Sequence, residues 1–266
     1  HGSRLASAEE AVNYVNQRGF VFFWPVKGID CPSLWVAAAG DRPVPDEHDD
    51  PGHIPWGWKD GMLGLRRWYY ARCLSRRNAM LSLDLLPLFY ALSPNYGDPE
   101  TDILDEYRQG TLRLETKLVF EALLREGPLD TLALRKAAHL SAPESEGRFN
   151  RALDDLQMAF RVLPTGISQA GAWRYAFIYN LVNRHYPALI SQAQSISQFF
   201  ARQQLILTYL NSVGAAEERK ITRLFRWRPE DTRRAVDALV QAGQLLSDAT
   251  HANHPGLWLC LPRLAQ

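Results

Sequence analysis

The chain has 266 residues, of which 46% are hydrophobic and 22% charged, and its formal net charge is +1. This length suffices for one large domain or for two to three small ones, and the composition is that of an ordinary globular protein. No apolar stretch reaches the length of a membrane span, so the sequence predicts neither a transmembrane helix nor a membrane partner.

The charges are segregated along the chain although they nearly cancel in total. Residues 41–60 contain six acidic and two basic side chains, whereas residues 61–83 contain five arginines and no acidic residue. This segregation predicts a local basic face, and the planar guanidinium of arginine suits phosphate recognition. A coding bias toward arginine is the alternative explanation, so the charge pattern alone does not establish a nucleic-acid partner.

The cysteines and the acidic loop give no sign of a metal or cofactor site. Cys31, Cys73 and Cys260 are far apart and outside any CxxC motif, which predicts free thiols in a cytoplasmic protein. No nucleotide-binding glycine motif and no HExxH occur. The acidic loop contains ligand-type side chains, but their spacing matches no zinc pattern. These side chains are Glu47, His48, Asp49, Asp50 and His53. We therefore predict no metal and no cofactor.

The first part of the chain is irregular in pattern. In the stretch GFVFFWPVKG, the run Phe20–Trp24 is apolar at every position, which predicts a buried strand or the floor of a pocket. Proline and glycine in residues 40–58 predict a loop. Residues 63–75 and 80–91 are interpreted as helical or mixed apolar segments. A cluster of proline, asparagine and glycine in residues 93–99 predicts a break.

The second part shows a clear helical period. Apolar residues at three-and-four spacing predict helices over residues 115–126, 131–140 and 144–160, with Asp130 as the N-cap of the second helix. Alternating apolar residues on both sides of a glycine-rich turn, from Val162 to Tyr179, then predict a hairpin. Three helices followed by a hairpin form the plan of a winged helix-turn-helix unit, which we assign to residues 111–187.

The same plan returns in the third part. Helices are predicted over residues 202–212 and 217–225, and a third helix starts at residue 228 with Pro229 in its first turn. Apolar segments on either side of a polar tip over residues 251–255 predict a second hairpin. The fold class is therefore mainly α with small β-hairpin wings (α+β), in tandem winged helix-turn-helix units, the last of them in residues 198–263.

The predicted third helix of each unit carries arginines on its outward face. In helix-turn-helix proteins this helix enters the major groove of DNA. Arg148 and Arg151 in the first of these helices, and Arg233 and Arg234 in the second, are candidates for phosphate contacts. The alternative is that these arginines are solvated surface residues and that the units pack on each other or bind protein.

Several segments resemble a known family. They are GFVFFWPVKGIDCPSLW, WYYARCLSRRNAMLSLDLLPLFY and SEGRFNRALDDLQMAFRVLPTGISQAGAWRYAFIYNLVNRHYP. These segments resemble the AlkZ- and YcaQ-like winged-helix DNA glycosylases, and more closely the branch of AlkZ-related proteins. The resemblance implies three winged-helix units around a concave basic DNA channel, the first of them irregular and within residues 4–97. It also implies cleavage of N-glycosyl bonds of damaged bases, with water as nucleophile.

The catalytic signature of that family is a glutamine, one apolar residue, then glutamine or aspartate on a strand. In this sequence those places fall near Phe23 and Pro25, which have no polar side chain to position water. Lys27 and Asp30 flank the strand and are the nearest replacements, as a Schiff-base amine and as a water-activating carboxylate. The alternative is that Lys27 extends into solvent and that Asp30 caps a turn.

Three functions are compatible with these patterns. The first is a protein that binds double-stranded DNA, including damaged DNA, through phosphate-binding arginines and through aromatic residues that contact a base. The predicted phosphate contacts are Arg66, Arg67, Arg72, Arg76, Arg148, Arg151, Arg233 and Arg234, and the predicted base contacts are Phe23, Trp24, Trp56 and Trp58. The second is an active glycosylase that uses Asp30 or Lys27, and the third is a non-catalytic protein-interaction module. The sequence does not indicate an oligomeric state.

Overall fold

A computed structural model describes residues 4–45, 50–95, 98–171, 174–251 and 254–264. Part of the acidic loop (residues 46–49), the last two residues of the predicted first unit and residues 172–173 of the predicted hairpin therefore lie outside the described residues. Within the described part, the chain has a mixed α+β fold with three small antiparallel sheets of three strands each.

One order of elements occurs three times: helix, strand, two helices, then a hairpin. The first occurrence forms the N-terminal region and its sheet has the order β1-β3-β2. Its elements are α1 (Ala8–Arg18), β1 (Phe20–Phe22), α2 (Leu34–Ala39), α3 (Ile54–Met62), β2 (Tyr69–Leu74) and β3 (Arg77–Leu81).

The second occurrence follows two connecting helices, α4 (Leu86–Ala91) and α5 (Pro99–Arg108). Its sheet has the order β4-β6-β5, so the last strand again lies in the centre. Its elements are α6 (Leu114–Glu126), β4 (Leu129–Asp130), α7 (Thr131–Ala137), α8 (Glu146–Met158), β5 (Val162–Ser168) and β6 (Ala176–Leu181).

The third occurrence follows α9 (Val182–His185) and α10 (Leu189–Gln194), and its sheet has the order β7-β9-β8. Its elements are α11 (Gln198–Val213), β7 (Ala215–Ala216), α12 (Glu218–Phe225), α13 (Pro229–Gln241), β8 (Leu246–His251) and β9 (His254–Cys260). The three occurrences thus share both the order of elements and the order of strands.

The first sheet is buried on both faces, which explains the unbroken apolar run. Side chains alternate between the two faces of a strand. Phe20 and Phe22 belong to a core that also contains residues of α11 such as Tyr209, whereas Val21 and Phe23 belong to a second core with α1. Because both faces contact other elements, every position of the strand is apolar.

The predictions for the second and third parts are confirmed at the level of helices and strands. Asp130 caps α7, since its carboxylate accepts hydrogen bonds from the backbone amides of Leu132 and Ala133. The helix predicted to start at residue 144 begins at Glu146, after one turn of 3₁₀ helix.

The predictions for the first part are partly wrong. The predicted loop over residues 40–58 contains the start of α3, where Pro55 occupies the first turn, a position that tolerates proline. Of the two segments interpreted as helical or mixed apolar, residues 63–75 contain β2, whereas residues 80–91 contain the end of β3 and then α4. These strands lack the alternation that identifies a half-exposed strand because their sheet is buried on both faces.

Candidate nucleic-acid interface

Two adjoining pockets lie where the segment after β1, the β2–β3 hairpin and the end of α12 meet. Their volumes are about 410 and 440 Å³, and they share Val26, Lys27 and Arg77. We call the two pockets together the basic groove. Its lining consists of Trp24, Pro25, Val26, Lys27, Ile29, Arg72, Ser75, Arg77, Asn78, Arg223 and Arg226.

The groove carries positive charge that no acidic residue of its described lining neutralises. Five of its lining residues are basic and none is acidic. Of these five, only Arg72 forms an ion pair with another described residue, at 2.8 Å from Asp154. Four positive charges that share a concave surface without a carboxylate create a potential that attracts anions. A chain of phosphates is the anion that fits several cations spaced along a groove.

The turn between β2 and β3 and its docking on α12 bring the cations of the groove together. Ser75 and Arg76 form the turn between β2 and β3, with φ values of 49° and 57°. A two-residue hairpin turn of type I′ requires positive φ at both of its central residues. The twist of this turn matches the twist of the two strands that it connects. The Ser75 hydroxyl donates a hydrogen bond to the carbonyl of Leu224, at 2.6 Å. This contact docks the hairpin on the end of α12, so that Arg77 lies beside Arg223 and Arg226.

The arginines predicted from the charge-segregated segment have several environments. Arg72 and Arg76 form ion pairs with Asp154 and Asp155 on α8, at 2.8 and 2.7 Å, so they hold the hairpin against the second region. Outside the groove, Arg67 pairs with Glu9 at 2.6 Å. Arg66 is exposed on the segment that precedes β2.

The arginines predicted on the third helices are exposed but do not line the groove. Arg148 lies 3.3 Å from Glu115, and Arg233 lies 3.3 Å from Glu218. Arg234 packs its guanidinium over the ring of Phe199, and Arg151 donates to a carbonyl of its own helix. Exposed pairs of this kind exchange partners at little cost, about 0–1 kcal/mol each, so the arginines stay available to an anion.

The two predicted catalytic residues lie in different surroundings. Lys27 is exposed and lines the groove. Asp30 faces another pocket, of about 1030 Å³, where its carboxylate pairs with Lys220 at 2.5 Å. Its backbone carbonyl accepts a hydrogen bond from the hydroxyl of Tyr209. The structure therefore does not bring Lys27 and Asp30 into one pocket.

The predicted aromatic contacts divide into core and surface. Phe23 is 1% exposed and packs edge-on against Trp24, with 4.7 Å between the ring centroids. Trp24 is half-buried and forms part of the groove wall, and Trp56 is 41% exposed. Trp58 is half-buried against the core of α1. Of the four predicted aromatic residues, only Trp24 and Trp56 present ring surface beside or near the groove.

A buried lysine that was not predicted from the sequence lies next to Phe23 and Trp56. Lys59 on α3 is 2% exposed, and its ammonium is surrounded by aromatic rings at 4.5–5.7 Å from their centroids. The rings belong to Phe23, Trp56, Tyr70, Tyr175 and Phe177. Cation–π attraction of this type is strongest where water is excluded.

Lys59, Asp60 and Tyr175 form a closed triangle of polar contacts. The Lys59 ammonium lies 2.7 Å from the Asp60 carboxylate and donates to the Tyr175 hydroxyl at 2.8 Å, and that hydroxyl donates to Asp60 at 2.9 Å. Burial lowers the pKa of Lys59, while the Asp60 carboxylate opposes this shift. Burial also raises the pKa of Tyr175 above its ordinary value. The triangle fastens α3 to the stretch before β6.

The sequence offers one weak sign of this enclosure. Trp56 and Trp58 precede Lys59 in the same helix, which indicates an aromatic neighbourhood. The other rings come from Phe23 directly after β1, from β2 and from the second hairpin. Tyr175 and Phe177 are more than a hundred residues away from Lys59 in the sequence. Their approach depends on tertiary packing, so no local pattern reveals it.

Two further findings concern the described part of the chain. None of its helices combines the length and apolar character needed to cross a bilayer. No group of three or more histidine, cysteine, aspartate or glutamate side chains in it is arranged to hold a metal ion.

The comparisons with known proteins give one relationship. A family model described as AlkZ related matches residues 5–226. The match includes every residue of the basic groove and the triangle around Lys59, and it ends before α13. No curated protein and no solved structure matches the chain.

Proposed function

Because the chain belongs to the AlkZ-related family, we propose that it is a DNA-binding protein of the DNA-glycosylase-like kind and that the basic groove holds the phosphate backbone of double-stranded DNA. One observation carries this proposal. The groove is lined by five basic residues, four of them without an ion pair to a described residue, and by no acidic residue. Such a surface binds a polyanion through release of its counterions.

The architecture supports the same function. We propose that the three repeated orders of elements are three winged-helix units and that the groove is part of a concave channel between them. The repeated strand order β1-β3-β2, β4-β6-β5 and β7-β9-β8 supports this assignment. The exposed arginines Arg148, Arg151, Arg233 and Arg234 on α8 and α13, together with Arg66, Arg67, Arg72 and Arg76, would add phosphate contacts in this arrangement.

The described residues that line the groove support DNA binding but offer no group that would activate water for base excision. Activation of water needs a carboxylate or another base beside the scissile bond. The described lining contains no carboxylate, and Asp30 lies in another pocket, paired with Lys220. Phe23 and Pro25, at the places of the family signature, have no polar side chain. The DNA-binding proposal therefore does not include hydrolysis by these residues.

An active glycosylase is the second candidate, favoured by the position of Lys27. Its amine is part of the groove wall, beside Trp24. An amine at that place can attack C1′ of a damaged nucleotide, expel the base and form an imine with the opened sugar. Borohydride reduces such an imine, so trapping of a covalent protein–DNA product from wild type but not from Lys27→Ala tests this function separately from binding.

The binding proposal is tested by titration of a short duplex at salt concentrations between about 50 and 200 mM. We expect affinity to fall with salt. The double variant Arg77→Glu/Arg223→Glu should bind more weakly, with a salt slope shallower by about two units, near one for each phosphate that is no longer neutralised. The matched control is Arg108→Glu/Arg125→Glu, which changes the same charge at exposed arginines outside the groove.

Two results would contradict the proposal. One is a wild-type protein that does not bind duplex DNA at low salt, which would favour the protein-interaction function. The other is equal loss of affinity in the groove variant and in the control variant, because binding would then depend on total charge and not on the groove.

A further inference from the structure

The two pockets of the basic groove differ in chemistry. The 440 Å³ pocket has cations, Ser75 and aliphatic side chains in its wall, but neither an aromatic ring nor an amide. The 410 Å³ pocket contains the ring of Trp24 and the amide of Asn78 in addition to its cations. A sugar–phosphate backbone needs only the first type of lining. A ring and an amide beside cations are the groups that recognise a whole nucleotide.

We propose that the pocket at Trp24 and Asn78 takes one unstacked nucleotide of an otherwise paired duplex, with its base on the Trp24 indole and its phosphates on Lys27 and Arg77. This inference rests on the proposed function and specifies the substrate class of the groove. A base inside a duplex is covered on both faces by its neighbours, so only a bulged, mismatched or otherwise extrahelical nucleotide can place its face on a side chain.

Trp24 is held in place for stacking. Its indole packs against Phe23, Trp56 and His53, at centroid distances of 4.7, 6.0 and 5.7 Å, and lies 6.2 Å from Trp35. These rings contact it edge-on or at a tilt, and the side chain remains half-buried with part of its surface in the pocket. An immobilised ring loses little conformational entropy when a base binds, which favours stacking.

Asn78 supplies an amide beside this ring. Its backbone carbonyl accepts a hydrogen bond from the amide of Phe23, at 2.8 Å, which fixes the residue next to the strand that leads to Trp24. Its half-buried side chain forms no hydrogen bond with another described residue. A carboxamide offers one donor and one acceptor side by side, which matches the edge of a base, that of adenine in particular.

The size and the charges of the pocket agree with this occupant. A volume of about 410 Å³ lies within the range of about 300–1000 Å³ that is usual for small-ligand pockets. Lys27 and Arg77 line both pockets, so they connect the pocket that contains the Trp24 ring with the pocket that contains Arg223 and Arg226. A nucleotide at Trp24 would therefore place its flanking phosphates where the next cations, Arg223 and Arg226, continue the track.

The experiment compares three duplexes of equal length and charge at one salt concentration. The first is fully paired, the second has a single bulged adenine, and the third has a bulged tetrahydrofuran residue that lacks the base. We expect wild type to bind the adenine bulge about tenfold more tightly than the paired duplex, within the effects of about five- to 150-fold found for loss of a stacked base. The tetrahydrofuran bulge should bind like the paired duplex.

Variants of Trp24 test whether the preference for the adenine bulge depends on the indole ring. Trp24→Leu keeps apolar volume but cannot stack, and we expect the ratio of its affinities for the adenine bulge and for the paired duplex to fall to about one. Trp24→Phe should retain most of the preference. The matched control is Phe200→Ala, because Phe200 is 48% exposed on α11 and lies outside the groove lining. With a fourth duplex that has a bulged thymine, Asn78→Ala should reduce the preference for the adenine bulge more than that for the thymine bulge.

The outcomes separate this inference from the proposed function. Absence of binding to all three duplexes would overturn both. Equal binding to the paired and the bulged duplex, or a preference that survives in Trp24→Leu when circular dichroism shows a folded protein, would overturn the inference alone. A tetrahydrofuran bulge that binds as tightly as the adenine bulge would also overturn it, because the protein would then recognise the bend of the DNA and not the base.

Discussion

Lys27 and Lys59 are two amines with opposite surroundings. Lys27 lines the pocket that contains the Trp24 indole. Lys59 lies against Phe23 and Trp56, whose rings pack on that indole. Lys27 is exposed, has no carboxylate partner among the described residues and shares its groove with other cations. Lys59 is 2% exposed and has a carboxylate, a hydroxyl and five rings around it. The charge of Lys59 is satisfied from inside the protein, whereas that of Lys27 has no anionic partner among the described residues and is open to an anion from outside.

This difference separates stability from binding. A buried charge without its partner is costly, so the Lys59 triangle matters for the folded state. An exposed cation contributes little to the free energy of unfolding, so Lys27 has little effect on stability and remains available to a ligand. The predictions below change one side of this comparison at a time.

The largest effect is expected from loss of the buried amine. Lys59→Ala leaves Asp60 without its cation inside an apolar enclosure and opens a cavity, and we expect the free energy of unfolding to fall by about 3–5 kcal/mol. Lys27→Ala should change it by less than about 0.5 kcal/mol. Urea unfolding of both variants measures this contrast, and equal losses would show that the two environments do not differ as described.

The next largest effect is on the affinity for duplex DNA, where a change at Lys27 should matter and a change at Lys59 should not. Lys27→Glu should weaken duplex binding about tenfold at low salt, a change of about 1.4 kcal/mol, because it removes one cation and adds a repelling charge in the groove. Lys59→Met should bind duplex DNA like wild type as long as it is folded. A folded Lys59→Met protein with weakened binding would instead place Lys59 in the DNA site.

A smaller loss of stability is expected from the third member of the triangle. Tyr175→Phe removes the hydroxyl that accepts from Lys59 and donates to Asp60, which leaves both charged groups with one hydrogen bond fewer. We expect a loss of about 1–3 kcal/mol in the free energy of unfolding. Tyr107→Phe, on an exposed ring of α5, is the control and should be neutral.

The smallest effect is a dependence of stability on pH. Burial lowers the pKa of Lys59 in the folded state, so the unfolded chain binds this proton more tightly, and the fold gains stability as pH rises from that lowered pKa toward the ordinary value of 10.5. The difference in unfolding free energy between wild type and Lys59→Met should therefore shift in favour of wild type as pH rises from neutral toward 10. A constant difference over this range would show that burial does not perturb the amine.

The sequence by itself determined the second and third regions. Their helices bury one stripe and expose the other, so the helical period is visible in the residue pattern, as in α8 with Phe149, Leu153 and Leu156 inward. The resemblance in the segments also led to the family. The sequence also predicted Lys27, Asp30, Trp24 and Trp56 as site residues, and these roles remain predictions. The structure places Lys27 and Trp24 in the groove wall and Asp30 in another pocket.

Only the tertiary structure decided the form of the first region and of the groove. β1, β2 and β3 are buried on both faces, so their sequences contain no alternation that reveals a strand. The groove joins Lys27 and Arg77 to Arg223 and Arg226, which lie about 200 residues after Lys27 and about 150 residues after Arg77. The Lys59 enclosure likewise joins α3 to residues beside β6. Long-range packing places these side chains together, and the local sequence shows only the tryptophans that precede Lys59 in α3.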